Sequence, residues 1–142
     1  MRVTVRLLLI GLLVQASGCQ TLGETQLSTG QVSVTMSPAV LADQAQTTVL
    51  RENHAVEYLH DFLLYYVSRS RSRIRSSISF ETTVTQFRFS VGRDHMTTET
   101  VVKRGGQEIA RFTDVETTTR GSQVERLSKA LARRIVQRVR RY

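Results

Sequence analysis

Three sets of side chains in this 142-residue sequence could do chemistry. The first is Cys19, the only cysteine, which excludes an internal disulfide framework and a thiolate-only zinc site because both need several sulfurs. The second is basic: Arg69, Arg71, Arg73 and Arg75 in the run SRSRSRIRSS, with Arg126, Lys129 and Arg133 near the C-terminus, all candidates for holding an anion. The third is His54, Glu57, His60 and Asp61. On a helix His54, Glu57 and Asp61 share a face, from which imidazole and carboxylates would converge on a metal. HExxH spacing is absent and the remaining histidine, His95, is expected in a turn, so solvated helix polarity accounts for this set and neither metal nor cofactor is expected.

Enzymatic readings find little support elsewhere. No GxSxG is present, and Gly105-Gly106 has the context of a hairpin turn, without the lysine and helix that a phosphate loop needs. A non-enzymatic protein is the expectation. Arginine supplies 18 of the 20 basic residues, against 12 acidic ones, for a net charge of +8. Its planar guanidinium favours bidentate contact with phosphate or carboxylate, so the partner surface is anionic. With 40% apolar and 23% charged residues the chain can bury one modest core, and its length suits a single domain.

The N-terminus orders a basic segment (Met1 to Arg6), an apolar run from Leu7 to Val14 and the small residues Ala16-Ser17-Gly18 ahead of Cys19. That is the layout of a secretory signal, and the apolar run is well short of the ~20 residues a spanning helix needs. Ala16-Ser17-Gly18-Cys19 resembles the lipobox of bacterial lipoproteins, with Ala16 standing where that motif usually has Leu. The resemblance implies that residues 1–18 are a signal peptide and that Cys19 is the lipidated N-terminus of the mature protein, carrying acyl chains on sulfur and nitrogen. Three hydrocarbon tails exceed the two signals that stable anchoring takes. In that family an Asp after the Cys retains the protein at the inner membrane; Gln20 stands here, which implies the periplasmic face of the outer membrane. Ala16-x-Gly18 also suits ordinary signal cleavage, which would leave a secreted periplasmic protein.

Removing residues 1–18 takes away Arg2 and Arg6 and leaves 18 basic against 12 acidic residues, so the basic bias belongs to the folded part. Residues 19–30 read as a lipidated terminus and flexible tether, and 31–142 as one α+β domain. Gln31 to Met36 alternates as a strand does. Pro38 stands either at a first helical position behind a Ser37 cap or at the start of a loop. Val49, Val56, Leu59, Leu63 and either Tyr66 or Val67 predict one helix from about Thr47 to Ser68. Ile78, Phe80 and Val84 alternate, then Phe87, Phe89 and Val91 continue on the opposite parity, which predicts a bulge near Thr85-Gln86. Met96 to Lys103 and Glu108 to Thr118 flank the Gly105-Gly106 turn as a hairpin.

Ser122 and Glu125 stand at capping-box spacing before a final helix. Val124, Leu127, Leu131, Ile135 and Val139 form its apolar stripe, with Arg126, Lys129, Arg133 and Arg140 opposite. The expected fold is a three- or four-stranded, mainly antiparallel sheet with two helices on one face, in the order β-α-β-β-β-α. This order is similar to that of small accessory lipoproteins of envelope transport and assembly systems, over about residues 31 to 140. The similarity implies an accessory role and no site residues.

Two functions follow as expectations. One is a membrane-anchored assembly component that docks other envelope proteins by an edge strand or its amphipathic helix, with a homo-oligomer as one form of that docking. The other is an electrostatic module for anionic lipid or polysaccharide, with ~1 kcal/mol per basic residue near an anionic surface. Export would remove the chain from nucleic acid, which Ser-Arg repeats would otherwise suggest.

Overall fold

The computed structural model describes residues 22–70, 73–119 and 123–142. Cys19 and the signal segment, Arg71 and Ser122 of the capping box lie outside the described residues. The elements are β1 (Gln26–Thr29), β2 (Val32–Met36), α1 (Pro38–Ala42), α2 (Gln44–Glu52), α3 (Ala55–Arg69), β3 (Ile78–Ser90), β4 (Arg93–Arg104), β5 (Gln107–Thr118) and α4 (Val124–Val139). The strands form one five-stranded sheet in sequence order. Its β2–β3 pairing is parallel, bridged by the three helices, and its other pairings are antiparallel. The α+β class and the mainly antiparallel sheet agree with expectation.

The differences are local and have physical causes. A fifth strand, β1, takes up Gln26–Thr29 from the segment expected to be a tether. It has one half-buried apolar residue, Leu27, and is held by antiparallel pairing to β2, for which four residues carry no periodicity signal. The expected single helix is two. Asn53 ends α2, its side-chain amide donating to the Val49 carbonyl at 2.8 Å. His54 then takes a left-handed conformation (φ 51°), which a histidine tolerates better than a branched residue. Pro38 does occupy the start of a short helix, with the Ser37 hydroxyl accepting from the Val40 amide at 3.2 Å.

One face of the sheet carries the core. Val32, Val34, Phe80, Val84, Met96 and Val102 point from the strands toward Leu59 and Leu63 of α3 and Leu127, Leu131 and Ile135 of α4, all almost fully buried. The apolar stripe of α4 is therefore spent on the domain's own core. The opposite sheet face is polar and exposed, crossed by the ion pairs Lys103–Glu81 and Arg111–Glu99 at 2.6 Å each.

The register slips between Val84 and Gln86, the expected bulge, and Phe87 is buried after it. Phe89 is exposed at the end of β3, and Val91 is exposed in the β3–β4 turn that follows it. Gly105 and Gly106 turn the β4–β5 hairpin with φ of 56° and 83°, values glycine adopts without steric cost.

Candidate anion-binding groove

Helices α3 and α4 run side by side in the same direction. At their N-terminal ends His54 and Tyr58 lie beside Val124 and Arg126; at their C-terminal ends Tyr66 and Arg69 lie beside Arg133 and Arg140. Parallel alignment brings the two negative dipole ends together, and the cations gathered in these last turns complement them.

Between the C-terminal halves lies an open groove of about 570 Å³, lined by Phe62, Tyr65, Tyr66, Arg69, Ser70, Lys129, Arg133, Val136, Gln137 and Arg140. Four cations and no carboxylate line it. Among the described residues, none of these four cations forms a salt bridge.

The aromatic side chains position the cations. The Arg69 guanidinium lies 5.4 Å from the Tyr65 ring centroid and donates to the Tyr65 hydroxyl, and Lys129 Nζ lies 5.8 Å from the Phe62 centroid. Tyr65 and Tyr66 meet edge to face at 5.2 Å. The second half of α3 is apolar almost all round in sequence for this reason: Leu63 and Val67 enter the core, while Phe62 and Tyr66 wall the groove.

The sequence candidates divide. Arg69, Lys129 and Arg133 come together in the groove. Arg126 stands at the other end of the helix pair, near Glu52, Asn53 and Glu125. Arg73 and Arg75 lie in the exposed α3–β3 connection, where the Arg75 carbonyl accepts from the Gln31 side chain at 3.0 Å, and neither lines the groove.

Arg140 completes the site and was legible as the continuation of the polar arc through Lys129 and Arg133. The aromatic wall was not, since its residues share the pattern of a buried helix. His54 and Glu57 do meet, at 3.3 Å, but His60 is buried and Asp61 is exposed beside it. Among the described residues no group of three or more His, Cys, Asp or Glu could hold a metal ion.

Two arginines of α4 are committed elsewhere. Arg134 donates to the Val115 carbonyl at 2.7 Å and pairs with Glu116 at 2.5 Å. Arg138 lies 3.5 Å from Asp114 and 5.1 Å from the Phe112 ring centroid. Burial raises the Asp114 carboxyl above its ordinary range, opposed by Arg138 and Arg134.

No family model matches the chain, and no curated protein matches it. Among solved structures it is similar to one described as a "putative lipoprotein" from Caulobacter crescentus CB15. The identity is 15%, over 61% of this chain and 81% of that one, with a TM-score of 0.44. It is also similar to an uncharacterized protein at 16% identity, over 81% of this chain and 82% of that one, with a TM-score of 0.39. Among the described residues no helix is long and apolar enough to cross a membrane.

Proposed function

We propose that this protein is a lipoprotein of the bacterial envelope, attached through Cys19 to the periplasmic face of the outer membrane, and that its non-enzymatic task is to bind an anionic ligand in the α3–α4 groove. One observation carries the binding reading: Arg69, Lys129, Arg133 and Arg140 converge on an aromatic-walled groove without a carboxylate to neutralise them. Unpaired cations at that density attract phosphate or carboxylate, and the Arg69 guanidinium, held against the Tyr65 ring, is already partly ordered for bidentate contact.

The accessory-docking reading has less to stand on. The apolar stripe of α4 is buried in the core, and Arg134 and Arg138 donate to carbonyls of the outer strand β5. Attachment through Cys19 rests on the signal layout and the small residues before it.

The test is pulldown on acidic polysaccharide and on anionic liposomes across a salt series. Binding should weaken steeply with salt and should fall when the four cations are changed to Gln; salt-independent binding, or none, rejects the groove. Globomycin treatment or Cys19→Ala should yield an unprocessed or soluble species, and unchanged mass and fractionation would reject the anchor.

A further inference from the structure

We infer that the ligand of the groove is an extended acidic polysaccharide, taken up on the part of the domain farthest from the membrane that carries its anchor. This rests on the anion-binding reading and on Cys19 as the anchor, and it adds the class of ligand and the side from which it arrives.

The spacing of the cations points to a polymer. Lys129 and Arg140 are eleven residues apart on one helix, ~16 Å along its axis, with Arg133 between them and Arg69 on the facing helix. One phosphate or carboxylate cannot engage both ends of that row, whereas a chain with a charge on successive units engages all of it. The walls suit sugar rings. Tyr65 is 48% exposed, and the ring area that its contacts with Arg69 and Tyr66 leave open offers stacking area to the apolar face of a pyranose. The groove is partly open to solvent and walled by two helices, which leaves a face on which an extended strand can lie.

The anchor lies at the other end of the helices. The Gly23 amide donates to the Arg51 carbonyl at 3.1 Å, and the Glu24 amide to Glu57 Oε1 at 2.7 Å, so Gly23 and Glu24 lie beside the first turn of α3. Cys19 is four residues before Gly23, a reach of ~14 Å at most. From Glu57 the α3 axis runs ~18 Å to Arg69, and from Arg126 the α4 axis runs ~21 Å to Arg140. Both distances exceed twice the ~8 Å Debye length at physiological salt. With its helices directed away from the anchor, the domain would hold these cations beyond the field of the anchoring leaflet, toward polymer in the surrounding space.

The experiment uses the full lipidated protein in phosphatidylcholine vesicles, with alginate as the polymer probe and phosphatidylglycerol vesicles as the lipid probe. Alginate should bind, and binding should fall at least tenfold in Arg69→Gln/Lys129→Gln/Arg133→Gln/Arg140→Gln. It should stay within twofold in Arg88→Gln/Arg93→Gln, which removes charge at the β3–β4 hairpin. If the fourfold variant loses its circular-dichroism signature, the pairs Arg69→Gln/Arg140→Gln and Lys129→Gln/Arg133→Gln carry the same comparison.

Equal alginate affinity in wild type and groove variants overturns the inference. So does groove-dependent binding of phosphatidylglycerol vesicles that alginate does not displace, an outcome that leaves the anion-binding reading standing. Binding of neither probe removes both. Failure of the anchor shows separately, as Cys19→Ala protein that fractionates like wild type.

Discussion

Gly23 and Arg51 exchange two hydrogen bonds, the Gly23 amide donating to the Arg51 carbonyl at 3.1 Å and Arg51 Nε donating to the Gly23 carbonyl at 3.0 Å. This reciprocal pair fastens the chain just before β1 to the end of α2. The expected eleven-residue tether from Gln20 to Gly30 is thereby cut back, since Gly23 is buried and Gln26–Thr29 is a strand. A lipid on Cys19 would hold the domain close to its membrane, with the α2–α3 junction toward it.

Gly23→Ala tests the fastening. A Cβ there would stand 2.7 Å from the Arg51 carbonyl and 2.8 Å from Glu57 Oε1; the carboxylate can swing away, but the backbone oxygen cannot. Overpacking of this kind costs ~1–3 kcal/mol. Urea denaturation should show that loss, and limited proteolysis should cut ahead of β1 faster than in wild type. Unchanged stability and unchanged cleavage would show that the pair does not hold the segment.

Arg134 and Arg138 reach across the outer strand of the sheet. Their guanidinium groups donate to the Val115 and Thr113 carbonyls, at 2.7 and 3.5 Å, and so occupy acceptors that an incoming strand would use. Arg134→Ala/Arg138→Ala should associate with rising concentration in size-exclusion chromatography with light scattering. The stability cost should be below ~1 kcal/mol at Arg134, as for other part-exposed ion pairs, and larger at Arg138, whose loss leaves the buried Asp114 carboxyl without its cation. Lysine at both positions keeps a donor and should stay closer to wild type. A double-alanine variant with the same mass as wild type across the concentration series rejects a guarding role.

Asp114 makes stability depend on pH in the direction opposite to a stabilising ion pair. Its carboxyl is raised above the ordinary 3.8, burial being the largest cause. The folded state therefore binds the proton more tightly than the unfolded state does. The associated stability is fully present below about pH 3.8 and is lost as pH rises through the raised folded value. Asp114→Asn should remove that component. The difference in unfolding free energy between variant and wild type should shift in the variant's favour from pH 3 to pH 7, measured by denaturant titration at each pH. A flat difference would mean that Arg138 at 3.5 Å balances the burial, and one of the opposite sign that it outweighs it.

Much of the fold was legible because its signals are local. The bulge is written in the change of parity after Val84, the hairpin in Gly105-Gly106, and the buried side of α4 in the recurrence of Val124, Leu127, Leu131, Ile135 and Val139. The break at His54 was not legible, because Val49, Val56, Leu59 and Leu63 keep helical spacing straight through a turn whose left-handed residue is not a glycine.

The basic run drew attention to Arg69, Arg73 and Arg75 as one group, yet they part. Arg69 belongs to the last turn of α3, and the other two follow the chain away from it. The tie between Gly23 and Arg51 spans 28 residues and joins both main-chain groups of Gly23 to the carbonyl and side chain of one arginine, a pairing that no local pattern marks.

By itself the amino-acid sequence determined the class of fold, the stripe that α4 buries and the excess of guanidinium over carboxylate, because periodicity and charge are properties of neighbouring residues. The tertiary structure decided which arginines act together. Parallel packing of α3 on α4 sets Arg69 opposite Arg133 and Arg140 across an aromatic wall, while Arg134 and Arg138, on the same helix, are turned onto the edge of the sheet. A helix fixes the angle between its own side chains, but only its packing against a neighbour decides which of those directions meets protein and which is left open to a ligand.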